Sequence, residues 1–177
     1  MKYSKYSLKN DHIRFEHYPF YFSSLKKHPL LTLDRIKEIN LNTAPPSILI
    51  DQGEVIFFRH ENTEAIKAFG KRNKLPVADR IDVWELICQE FLDTEINPET
   101  LKRNEEKLIA LGFTREELTN IKKRIKWSFI GTLEWNYLGH WDLLAMKQYR
   151  SLTYRFIGRK FYWWTMDIAN KGYEIRT

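Results

Sequence analysis

Ser47-Ile48-Leu49-Ile50-Asp51-Gln52-Gly53-Glu54-Val55-Ile56-Phe57-Phe58 sets two short runs of aliphatic, β-branched and aromatic residues on either side of a turn segment. Gly53 supplies the positive φ of a tight turn, so residues 47–58 are predicted to form a β-hairpin. Pro45-Pro46, directly ahead of it, stops any helix over Leu33–Ile39 from running into the first strand. Both strands are almost continuously apolar, the pattern of a hairpin covered on both faces. Two strands are unstable alone, so helices or a strand from the terminal regions must complete the layer.

Beyond the hairpin the spacing turns helical. Asn62 or Thr63 is the expected cap of a helix over about 63–73, with Ile66 and Phe69 one turn apart and Pro76 beyond its end. Asp79 is the expected cap of a second, over about 80–93, whose inward stripe is Ile81, Trp84, Cys88 and Phe91. Cys88 on that stripe reads as a small core residue, since a reactive thiol needs an exposed electropositive setting. Asn97-Pro98-Glu99 opens a third helix with a cap, a proline at the first position and an acid favourable to the helix dipole.

Local signals agree best between residues 108 and 125. Leu111-Gly112 reads as a glycine-terminated helix end. Thr114 with Glu117 forms a capping box, and Phe113 and Leu118 are placed as a hydrophobic staple. Leu118, Ile121 and Ile125 continue the stripe, giving an αα-hairpin over about 98–129. A DNA-binding helix-turn-helix would fit the same turn, with Lys122, Lys123, Arg124 and Lys126 as phosphate contacts. Glu116 and Glu117, in the first turn of its reading helix, oppose that version.

The last third admits two readings. Trp141–Met146 starts a helix with Asp142 as a possible cap, and Tyr149, Leu152, Phe156, Lys160, Trp163 and Trp164 continue at helical spacing toward Gly172. Thr153–Ile157 and Phe161–Thr165, joined through Gly158, also read as a hairpin. Helix is the reading adopted. The expected fold is therefore α+β: one predominantly helical domain over 1–177 with a central hairpin.

Composition divides the chain differently. Of 26 aromatic residues, seven lie between Tyr3 and Phe22 and thirteen between Trp127 and Tyr173, leaving six in the middle. Residues 1–31 form a basic aromatic N-terminal segment, 32–130 hold the hairpin and helices, and 131–177 form an aromatic, basic C-terminal region. The net charge is +6 with a pI near 9.3, which favours acidic partners but is modest beside dedicated DNA-binding domains. No apolar run approaches the ~20 residues of a membrane span, and the single cysteine excludes an intramolecular disulfide. A soluble, cytoplasmic protein is expected.

Chemistry-bearing clusters are sparse. His12 and His17 do not have the one-turn spacing of a zinc helix, and no glycine-rich phosphate loop, nucleophile elbow or Cys-x-x-Cys occurs. No metal and no cofactor are expected. Glu134, His140 and Asp142 are the weak candidates for the acid, base or hard-metal ligands of a small hydrolase or nuclease. The favoured expectation is a non-enzymatic binding module recognising an acidic protein or a nucleic acid. Its expected contacts are Lys122, Lys123, Arg124, Lys126, Arg155, Arg159, Lys160 and Trp163. Lys2, Lys5 and Lys9 of the N-terminal segment are expected to join the last of these in one positive face. A homodimer closed over the aromatic patch is the remaining class.

Overall fold

The computed structural model describes residues 4–91, 97–128, 139–150 and 154–171. Contacts among them gather into two compact units, Met1–Ile81 and Asp82–Thr177. The fold is α+β: all seven described strands lie in the first unit, and five of the six described α-helices lie in the second. The division falls at residues 81 and 82, whereas composition divides the chain near 31 and 130.

The N-terminal segment is a sheet, which its composition did not announce. β1 (Lys5–Leu8), β2 (His12–His17) and β3 (Leu30–Thr32) pair antiparallel in the order β1-β2-β3. In β2 the side chains alternate, Ile13 and Phe15 buried and Arg14 and Glu16 exposed, as a half-buried strand requires. Phe15, Tyr18 and Phe20 of this segment form core, while Tyr21 is exposed. Phe15 packs on Tyr6, Tyr18 and Phe58, and Phe20 on Tyr18 and Phe57, at centroid distances of 5.5–6.2 Å.

A second sheet corrects the expectation of one central hairpin. β4 (Ile36–Asn40), β5 (Ser47–Ile50), β6 (Val55–Phe57) and β7 (Val77–Ala78) run in the order β6-β5-β4-β7, with β4 and β7 parallel. β5 pairs antiparallel with β6 through Gly53 at φ 72°, and every residue of both strands is buried. Where a helix over Leu33–Ile39 was entertained, Leu33–Arg35 makes one 3-10 turn and β4 follows. The register shifts between Ile36 and Glu38, so Ile36 and Ile39, three apart, are both buried.

α1 (Thr63–Arg72) buries Ile66 and Phe69, and a Cβ built on Gly70 would stand 2.6 Å from Ile39 Cδ1, so the helix approaches β4 closely enough that a larger residue would displace the end of that side chain. The expected cap is absent. Asn62 stands at the N-cap without a side-chain cap bond, and the Thr63 hydroxyl donates to the His60 carbonyl at 2.5 Å. Asp79 does not cap a helix either, because its carboxylate accepts from the Asn42 amide at 2.7 Å. Glu54, fully buried, accepts the Ser24 N–H with both oxygens at 3.2 and 3.1 Å and so pins the hairpin turn to the 3-10 turn Ser24–Lys26.

In the second unit, α2 (Val83–Cys88) is the hub. It packs against α3 (Pro98–Ala110), α4 (Arg115–Ser128), α5 (His140–Arg150) and α6 (Tyr154–Lys171). Val83, Trp84, Ile87 and Cys88 are buried, whereas Ile81, expected on the same stripe, is exposed. Burial raises the Cys88 thiol well above its usual pKa, as a core cysteine requires. Residues 154–165 are helical, as the helical spacing predicts. Gly172 lies outside the described residues.

The α3–α4 connection is a Schellman turn closed by a capping box. Phe113 N–H donates to Leu108 O at 3.1 Å and Gly112 N–H to Ile109 O at 2.9 Å, with Gly112 at φ 91°. The Glu117 N–H then donates to Thr114 Oγ1 at 3.1 Å, and the Thr114 N–H to Glu117 Oε2 at 2.8 Å. Thr114→Ala should therefore lower stability by about 0.5–2 kcal/mol, read from the midpoint of chemical denaturation. An unchanged midpoint at an unchanged slope would mean that the box contributes nothing in solution.

Candidate functional site

Two of the three hydrolase candidates, His140 and Asp142, lie among the described residues, in the first turn of α5. Asp82, the N-cap of α2, accepts the Trp84 N–H on Oδ1 and the His140 N–H on Oδ2, both at 2.9 Å. One carboxylate thus receives donors from the first turns of two helices, α2 and α5. Desolvation raises its pKa to about 6, against the lowering effect of the two backbone bonds. His140 is 2% exposed, its ring lies 6.1 Å from that of Trp84, and burial lowers its pKa to about 3, so it is neutral at pH 7. Asp142 accepts the Gly139 N–H at 3.2 Å and is itself raised by burial. Glu134 lies outside the described residues. Among the described residues, no three His, Cys, Asp or Glu side chains are grouped to hold a metal ion.

The basic aromatic surface has a definite geometry in the second unit. α6 buries Phe161 and Tyr162 and leaves Trp163 and Trp164 half-buried. Over these rings stand cations from two other helices. The Arg124 guanidinium of α4 lies 4.0 Å from the Trp164 ring centroid, and Lys147 Nζ of α5 lies 5.3 Å from that of Phe161. The centroids of the two rings are 5.5 Å apart. Desolvation, and then the charge of Arg124, lowers the pKa of Lys147.

The other expected contacts divide. Lys123, Lys126, Arg159 and Lys160 are exposed. Lys122 is half-buried and paired with Glu90 at 2.6 Å, which makes it an anchor between α4 and the turn after α2. Trp163 packs on Tyr162 at 5.6 Å, and it is Trp164 that carries the arginine. Arg155 belongs to the first turn of α6, and its side chain lies outside what is described, as does Lys2. Lys5 belongs to β1, where it pairs with Glu16 at 2.7 Å, and Lys9 lies just beyond that strand. Sequence reasoning did not select Lys147, Trp164 or Trp127. The last was legible, being one helical turn beyond both Lys123 and Arg124.

No described helix is long and apolar enough to cross a membrane. Comparison with models of known protein families, with curated protein sequences and with solved structures gives no significant match.

Proposed function

We propose that this protein is a non-enzymatic binding module whose second unit recognises an acidic partner, a protein or a nucleic acid, through a basic aromatic surface on α4, α5 and α6. The observation that carries the reading is the pair of cations, Arg124 and Lys147, fixed over the adjacent rings of Trp164 and Phe161. Charge segregation along the unit supports it. Residues 122–171 hold ten Lys/Arg against three acids, whereas residues 82–121 hold four against ten. The basic residues are thus concentrated in the sequence of α4, α5 and α6, where they would attract an anion.

The test is reversal of sign. Arg124→Glu, Arg159→Glu and Lys160→Glu together should abolish binding to both an oligonucleotide and a polyglutamate peptide at low salt. The midpoint of denaturation should stay close to the parent's, because the latter two side chains are exposed. Parent binding should weaken steeply with salt. Binding that survives the triple reversal at low salt would remove the electrostatic reading and leave aromatic self-association, a homodimer, as the better account.

A further inference from the structure

Resting on that reading, we propose that the acidic partner is an unpaired nucleic-acid strand, with Lys123, Arg124 and Lys126 neutralising its phosphates and the indole of Trp127 stacking on one of its bases. Trp127 is the most exposed of the large hydrophobic side chains described, at 69%. It stands opposite the buried stripe of α4, which is Leu118, Ile121 and Ile125, so packing against the described residues of the unit does not account for a tryptophan there. Lys123 precedes it by four residues and Arg124 by three, which places both one turn away on the same side of the helix. Arg124 is already held on Trp164, so little side-chain freedom is lost when it meets a phosphate.

The chemistry separates the partner classes. Carboxylates of an acidic protein would use the cations and have no need of a bare indole, whereas every nucleobase presents a π-face and alternates with a phosphate along the strand. A duplex presents phosphates but hides those faces within its stack. Glu116 and Glu117 stand two to three turns before Trp127, and Glu117 is paired with Lys171 at 2.5 Å. The anionic strand is thereby directed over the C-terminal half of α4.

The test uses the full chain and three labelled probes: oligothymidylate, a duplex of equal length, and polyglutamate. Fluorescence anisotropy should show oligothymidylate bound more tightly than the other two. Trp127→Ala should weaken that binding by about 5- to 150-fold without changing the slope of log affinity against log salt, and Trp127→Phe should restore most of the loss. Lys123→Gln with Arg124→Gln should instead flatten the slope by about 0.7 for each cation removed. An unchanged melting temperature for Trp127→Ala, expected from its exposure, shows that the loss is one of contact. Oligothymidylate binding unaffected by Trp127→Ala, or duplex bound as tightly as single strand, would overturn the proposal. Polyglutamate binding alone would overturn it while leaving the electrostatic reading intact, and failure of all three probes would remove both.

Discussion

Trp84→Ala should destabilise the second unit by about 3–5 kcal/mol, the largest single-residue effect expected in the chain. Its side chain is fully buried on the hub helix, where its ring meets Trp164 at 5.5 Å and its Nε1–H donates to the Thr165 carbonyl at 2.9 Å. Truncation opens a cavity at the centre of the five packed helices and removes a buried hydrogen bond. Trp84→Phe should fall between parent and alanine, because the ring is kept and the N–H is lost. Trp127→Ala is the matched control, since the same chemical change on an exposed face should cost within about 0.5 kcal/mol. Urea unfolding followed by circular dichroism would rank the three. Equal midpoints for the two alanine variants would refute the assignment of α2 as the hub.

What was legible in the sequence was what local chemistry decides. The turn at Gly53, the start at Asn97-Pro98 and the Thr114–Glu117 box each rest on a few adjacent residues, and each stands where expected. Helices that announce themselves by caps and by period belong to the same class. The missed elements depend on distant partners. β1 is only four residues, KYSL, and becomes a strand by pairing with β2. β4 was concealed by its own irregularity, since the register shift after Ile36 places two buried isoleucines three apart and so imitates a helix. A clearer signal was available in β2, where Ile13 and Phe15 alternate with Arg14 and Glu16.

The candidate site follows the same division. That residues 122–171 are basic and aromatic is written in the chain. That Arg124 rests on Trp164 rather than on Trp163 depends on how three helices meet, which no spacing within one helix specifies. The assignment of Asp79 as a cap failed for a related reason. Asp82 falls inside the expected stripe, after Ile81, yet it caps α2 through the Trp84 N–H and also receives the α5 amide of His140, whereas Asp79 bonds Asn42.

That placement makes stability depend on pH in a way a substitution can expose. His140 is held neutral, its pKa lowered to about 3 by burial, so the unfolded chain takes up a proton below its ordinary value of 6.5 that the folded chain refuses. Its contribution is present above pH 6.5 and is lost as pH falls toward 3. Asp82 works in the opposite sense. With a folded pKa raised to about 6, the folded state binds a proton between pH 6 and 4 that the unfolded state releases, so its contribution grows as pH falls through that window. The two slopes oppose each other, so the joint contribution of His140 and Asp82 should vary little between pH 6 and 4. Asp82→Asn keeps a side-chain acceptor for the helix but does not titrate. It should unmask His140, and its stability should fall, relative to the parent's, by on the order of 2 kcal/mol from pH 6 to pH 4. Other carboxylates, among them Glu117 and Asp142, are common to both proteins and largely cancel in the difference. The measurement is urea unfolding of both proteins at intervals across that range. Parallel curves for parent and Asp82→Asn would show that Asp82 titrates alike in the folded and unfolded chains, without the raised pKa.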